Sequence, residues 1–511
     1  TGFPCFAFRL HQFISRGGNV YATIDESALR YVTVHGQQFV PGDRSRVLLP
    51  LVFCRECGQE YYCIRSSVHE ESGKRFFTGR ELPEQLHDEE SEAGFLYRNE
   101  LNPWSADVSE IIERLPVDWL EETSAGLRIR KDRRPYLPQA IIIDTEGRES
   151  NAGQTYHYLK APFRFCLNCG VSYDMRQRSD IGKLASLGTE GRSSATTILS
   201  LSAIRHLKKE ETLDLKARKL LSFTDNRQDA SLQSGHFNDF IEIGLIRSAL
   251  YRAVAEAQTA GISHDELTQK VFTALDLPKA YYANDPEVKF LPEKKKKKAL
   301  RNVLGYRLYH DLRRGWRVMS PNLEQCGILE IRYASLGDIA EAAEEWQGCH
   351  PALVGATPET RFMVAKVLLD FMRRSLAIKV DYLDFIFQER IQQQSNQRLK
   401  SPWAIDEKET MVSASVVFPR GRLTGDFGGH IFLSPRSGYG QYLRRRETFP
   451  QFAAKLSMED TAVILRQLFQ ILRVAGLVEE VAPPEHGDAP GYQLPGAALR
   501  WFAGDGSKPF H

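Results

Sequence analysis

Two pairs of cysteines share one local pattern. They are Cys54-Arg55-Glu56-Cys57-Gly58 and Cys166-Leu167-Asn168-Cys169-Gly170, each preceded by an aromatic residue, Phe53 or Phe165. Two thiolates separated by two residues can hold one tetrahedral ion from a tight turn. The glycine that follows lets the backbone fold back with its amide toward a sulfur. Two such knuckles make a four-cysteine zinc ribbon. The zinc expected at Cys54, Cys57, Cys166 and Cys169 keeps no open position, so its role is structural and not catalytic. The stretch from Cys57 to Cys166 is far longer than the usual ribbon spacing, and an insertion between the two hairpins accommodates it. Cys63 is a candidate spare ligand, whereas Cys5, Cys326 and Cys349 read as ordinary buried thiols. The competing reading is four buried or free cysteines placed by chance.

A second segment with chemical potential is Lys219 to Phe240. The apolar run Lys219–Thr224 reads as a strand. The polar tip Asp225-Asn226-Arg227-Gln228 follows it, and then a helix. Ligands of open α/β sheets bind at the carboxyl ends of strands, so this cluster is placed to meet a phosphate backbone, with Arg227 as a bidentate donor. The plainer reading makes Asp225 the cap of a charged helix start. Two further basic clusters point the same way: Arg313, Arg314 and Arg317 around Trp316, and the turn Ser434–Gly440 followed by Arg444-Arg445-Arg446. In the second, Arg436, Ser437 and Arg444 are the expected nucleic-acid contacts. Solvated surface is the alternative for both. The lysine run Lys294–Lys298 reads first as a solvated face or a loop and second as a phosphate contact. The histidines form no HxH or HExxH pattern, and no Ser-His-Asp arrangement can be assigned.

The elements that must position these residues are mixed. With 511 residues, 42% of them hydrophobic, the chain has material for several cores, and its net charge of +2 means that any nucleic-acid surface is local. Eight cysteines are too few for a disulfide scaffold. There is no apolar run of about 18 residues and no basic start with an apolar signal core, so no membrane segment is expected and the cytoplasm is the expected compartment. The sequence divides into a connector over 1–50, a zinc-ribbon β module with an insertion over 51–190, and a strand with helical insertion over 191–350. A helical region with a basic loop over 351–450 and a winged-helix-like element over 451–511 complete it. Short strands are expected at Val20–Ile24 and Tyr31–Val34, and a buried strand at Ala140–Ile143. Helices are expected over 193–210, 241–275 and 360–395. From Ser457 a helix should run to a glycine stop at Gly476, followed by the hairpin strands Leu477–Val481 and Tyr492–Leu494.

The segment from Lys219 resembles the first strand and motif IV of the second RecA-like lobe of superfamily 2 helicases. More narrowly, the chain resembles large DEAD/DEAH-box helicases with inserted zinc-ribbon regions. That group occurs in bacterial antiphage defence systems and is related to helicases with a cysteine-rich C-terminal domain. Phe8–Ile14, the Phe53–Glu60 knuckle and Ser320–Gly327 also fit the group. The chain lacks GxxxxGK[ST], a DEAD or DEAH quartet and the arginine-rich motif VI, and Ser194-Ala195-Thr196 lies in a helical pattern without partner motifs. The resemblance therefore implies the interior of an ATP-dependent DNA helicase or translocase. The fold it implies is α/β plus α+β and multidomain: zinc ribbon, partial RecA-like lobe, helical insertion and winged-helix-like element. ATP and Mg would be bound only in the full-length protein, and this segment alone would not hydrolyse ATP. Its partners would be nucleic acid, DNA favoured, and proteins of a defence system. The alternative function is a non-motor zinc-ribbon scaffold that binds nucleic acid or protein.

Overall fold

The computed structural model describes residues 19–506, apart from 69–72, 83, 85–86, 89–90, 124–125, 174, 176, 187–191, 221–226, 314–321, 422–428 and 483–488. The fold is mixed α/β with several sheets, and the described residues gather around separate cores.

The N-terminal part is a largely antiparallel sheet. Its strands are β1 (Tyr21–Thr23), β2 (Asp43–Cys54), β3 (Glu60–Val68), β4 (Arg75–Gly79), β5 (Ser91–Tyr97), β6 (Gln139–Ile143), β7 (Gln154–Lys160) and β8 (Leu184–Ala185). The central order is β6-β7-β5-β3-β2-β1, with β4 beside β3 and β8 beside β2. Alternation in these strands feeds two faces. Val47, Leu49, Leu51, Tyr62, Ile64 and Leu96 point to one core. Val52, Cys54, Tyr61, Cys63, Phe95 and Tyr97 point to the other, where Trp104, Trp119 and Phe165 close over them. Residues 21–50, expected as a connector, thus belong to this sheet: Tyr21 pairs with Thr33 and with Pro50. The strand at Ala140–Ile143 is buried on one face only. Ile141 and Ile143 point inward, while Ile142 is exposed because β6 ends the strand order.

The remaining residues form a helical unit with two small sheets. Its helices are α2 (Arg192–Lys209), α3 (Arg227–Ala257), α4 (His264–Leu275), α5 (Leu291–His310), α6 (Leu336–Glu341), α7 (Pro351–Val354), α8 (Pro358–Arg374), α9 (Phe385–Arg398), α10 (Gly438–Leu443) and α11 (Met458–Val474), after α1 (Val108–Arg114) in the β module. One sheet pairs Ile262–Ser263 (β9) and Leu329–Tyr333 (β10) with Leu499–Ala503. The other joins β11 (Ile378–Lys379), β12 (Val416–Phe418), β13 (His430–Phe432), β14 (Glu479–Ala482) and β15 (Gly491–Pro495). Strands from 262–263, 329–333 and 499–503 share one sheet, and residues from Ile246 to Trp501 share one apolar core. The expected divisions at 350 and 450 therefore do not separate cores.

Several local expectations are met. Ser457 caps α11 in a capping box with Asp460. Gly476 takes φ 68° just after the helix, where a left-handed residue is needed, and β14 pairs antiparallel with β15. The lysine run is neither loop nor wholly solvated. It lies within α5, with Lys296 buried and its ammonium donating to the carbonyls of Asn284 and Asp285. Leu221–Asn226, the core of the motif IV resemblance with Asp225 and Asn226, lie outside the described residues. Arg227 and Gln228 open α3, but their side chains lie outside that description too. The same holds for Phe8–Ile14, Arg314, Trp316 and Arg317. No helix among the described residues is long and apolar enough to cross a membrane.

A buried ionic cluster ties the segment after residue 321 to α8. Arg373, fully buried, donates to Glu324 at 2.8 and 2.6 Å, to Asp370 at 3.1 Å and to the Tyr333 hydroxyl at 3.0 Å. Tyr333 in turn donates to Asp370 at 2.7 Å. Burial pushes the Asp370 carboxyl up, but Arg373 and Lys366 outweigh it and hold the group below its ordinary range. Removing one member strands the others in a low-dielectric core. Arg373→Ala should therefore cost about 3–5 kcal/mol in denaturant unfolding. A loss below about 1 kcal/mol would show that the cluster is replaceable.

Candidate metal centre

The two knuckles are built alike. In the first, the Cys54 N–H donates to Gln59 O at 2.8 Å and the Gly58 N–H returns to Cys54 O at 2.8 Å. In the second, the Cys166 N–H donates to Val171 O and the Gly170 N–H to Cys166 O, both at 2.9 Å. Gly58 and Gly170 take φ 74° and 70°, the left-handed turn that the spacing required. The insertion between them is the body of the sheet itself. Cys54 ends β2, β8 lies beside it with Leu184 opposite Cys54, and Phe165 packs at 4.8 Å on the Trp119 ring beneath the second knuckle.

The four sulfurs converge. All lie within 4.8 Å of one another, and the Sγ atoms of Cys57 and Cys166 are 3.7 Å apart. Four sulfurs at about 2.3 Å from a tetrahedral zinc would be about 3.8 Å apart, so the spacing fits the ion. Among the described residues the cluster holds four cysteines and no histidine or carboxylate. Cys54 and Cys166 are buried, Cys57 and Cys169 half-buried. Cys63 points into the core from β3 and is not in the cluster; burial pushes its thiol up to about 12, so it stays protonated. Cys326, expected to be buried, is exposed in the turn before β10, and Cys349 is half-buried. Cys5 lies outside the described residues.

Electrostatics explains why this arrangement calls for a cation. Contact with Cys166 drives the Cys57 thiol far down and the Cys54 and Cys169 thiols up. Four thiolates so close cannot all ionise unless a positive charge sits among them. The surroundings orient the ligands. The Tyr61 hydroxyl, fully buried, accepts the Leu167 N–H at 2.9 Å, leaving its own proton for Cys166 Sγ at 3.2 Å. The Asn168 amide points its nitrogen at Cys57 Sγ at 3.5 Å, because its Oδ1 accepts from Asn102 at 3.0 Å and from Arg445 at 3.2 Å.

Arg445 introduces the other unit. The second knuckle packs directly on α10. A Cβ on Gly438 would fall 2.5 Å from Cys169 O, and one on Gly170 would fall 2.1 Å from the Gln441 amide. The expected nucleic-acid residues of this loop are engaged in the same joint. Ser437 caps α10 by accepting the Gly440 N–H. The Arg436 guanidinium donates to Ile112 O. Arg444, with a side chain only 6% exposed, pairs with Glu113 at 2.7 Å and donates to Glu113 O at 3.2 Å. These carbonyls form the end of α1, the negative end of its dipole, where cations are favoured. Lys455–Glu110 at 2.8 Å extends the contact. Arg436, Ser437 and Arg444, the three contacts expected in this loop, are thus engaged within the chain. Gln441 and Tyr61 were not singled out from the sequence, and Arg445 and Asn168 were named there only as members of the basic run and of the second knuckle. The Gly438-x-Gly440 spacing ahead of three arginines was the one visible sign of a close helix contact.

Comparison with protein families, curated proteins and solved structures finds no match.

Arg444→Ala should lower stability by about 1–3 kcal/mol, the loss of a charge-assisted bond with its partner left half-buried. The oligonucleotide affinity of the folded protein should not change. Unchanged melting with weakened oligonucleotide binding would instead return Arg444 to a phosphate path.

Proposed function

We propose that Cys54, Cys57, Cys166 and Cys169 hold one structural zinc ion, and that this centre locks the β module to the helical unit in the interior of a nucleic-acid-dependent helicase-type protein. The observation that carries the zinc reading is the convergence of four sulfurs from two equivalent knuckles, with no other ligand type in the cluster. A bound zinc would supply only charge and tetrahedral geometry, because four thiolates fill its coordination. The motor part of the reading rests on the sequence resemblance, and the capped α11 followed by the β14–β15 hairpin is in keeping with a winged-helix-like element. In the full-length protein this piece would contribute DNA contacts and a rigid joint, while ATP and Mg would be bound by residues outside it.

One observation favours the second reading, a non-motor scaffold. Pairing among the described strands is mostly antiparallel, whereas a RecA-like lobe is built on parallel strands. The two readings share the zinc joint.

Purified protein should carry about one zinc per chain by elemental analysis. Cys54→Ser should release it, and chelation should lower the melting temperature. Folded, metal-free protein that melts at the same temperature as the untreated sample would overturn the zinc assignment.

A further inference from the structure

The lysine run places an unusual charge pattern on one helix. Lys294, Lys295, Lys297 and Lys298 are exposed in the first turns of α5. Cations at a helix start oppose the macrodipole, and like charges three or four residues apart repel. Glu293 offsets part of this by pairing with Lys297 at 2.9 Å and Lys279 at 3.1 Å. Lys294, Lys295 and Lys298 make no ion pair among the described residues. Spacings of four and three residues put Lys294, Lys298 and Arg301 on one face, about 6 Å and about 4.5 Å apart along the axis. Arg301 spends one donor on the neutral Gln269 amide and keeps its charge. The internal stability of α5 does not account for this row of charge, whereas a polyanion would.

The head of the helix adds a second feature. Phe290, the residue before α5, is 84% exposed, and Tyr281 is 64% exposed. The Lys279–Glu293 pair holds the turn bearing Tyr281 beside the first turn of α5. Two open aromatic rings therefore stand at the head of a row of uncompensated cations.

We propose that this face of α5 binds single-stranded nucleic acid, with Lys294, Lys298 and Arg301 along successive phosphates, Lys295 flanking them within reach of the same backbone, and Phe290 and Tyr281 stacked on unpaired bases. The choice of nucleic acid over other polyanions rests on the reading given under Proposed function. The rings decide for a single strand, since only unstacked bases offer their faces. The cations follow a line and the aromatic groups sit at one end of it, which suits a chain of alternating phosphate and base.

The test uses the full chain and fluorescein-labelled oligothymidylate, titrated at several salt concentrations. The triple variant Lys294→Gln/Lys295→Gln/Lys298→Gln should bind at least about tenfold more weakly and lower the salt slope by about two units, at ~0.7 per phosphate on a single strand. Its melting temperature should hold or rise, because repulsion is relieved. Phe290→Ala should weaken binding roughly fivefold or more with the slope unchanged. Lys208→Gln/Lys209→Gln, with exposed lysines on the last turn of α2, should have little effect. Tight wild-type binding that the α5 variants leave intact would overturn this inference and spare the nucleic-acid reading. Absence of wild-type binding would overturn both. Lysine-dependent binding to anionic phospholipid vesicles without oligonucleotide binding would assign the face to a membrane surface and overturn the proposal.

Discussion

Crowded sulfur is the constraint on which the arrangement turns. Two unit charges about 4 Å apart repel by about 4 kcal/mol at an effective dielectric near 20, and four cysteine sulfurs lie within 4.8 Å of one another at the edge of a core. A divalent cation reverses the sign of that interaction. Bound there, it would tie together two knuckles that lie more than a hundred residues apart in sequence. The sheet strands, the Trp104 and Trp119 cover, and the Tyr61 and Asn168 contacts to sulfur all assume that both knuckles stay together.

The second knuckle also carries the joint between the two units. Gly170 and Gly438 remove the side chains that would hold the knuckle away from α10, and Arg445 bonds the same Asn168 that faces Cys57. Arg436 and Arg444 then fix the carbonyl end of α1. The sulfur cluster and the inter-unit packing therefore share residues. Cys169 is both a member of the sulfur cluster and, through its carbonyl, in direct contact with the Gly438 start of α10.

What was legible in the sequence was what is local. The CxxCG turns, the Ser457 cap, the Gly476 stop and the hairpin after it depend on residues within a few positions of each other, so their signals survive without tertiary context. The roles of charged side chains were not legible. Arg436 finds its acceptor 324 residues away, and nothing near it in the chain announces Ile112. Lys296 looks like its neighbours in sequence, yet it alone turns inward, because α5 puts it on the face that carries Ala299, Leu300 and Val303. Ile142 was read as buried with its neighbours because a short apolar run does not reveal that its strand lies at a sheet end.

The most direct test of the account is hydrogen exchange on the whole chain, before and after zinc is removed by a chelator under reducing conditions. If the sulfurs hold the joint, amides of both knuckles, the end of α1 and α10 should lose protection together. The core of α8 and α11 should keep theirs. Loss confined to the knuckles, with α1 and α10 as protected as before, would contradict the claim that the metal centre fastens the two units.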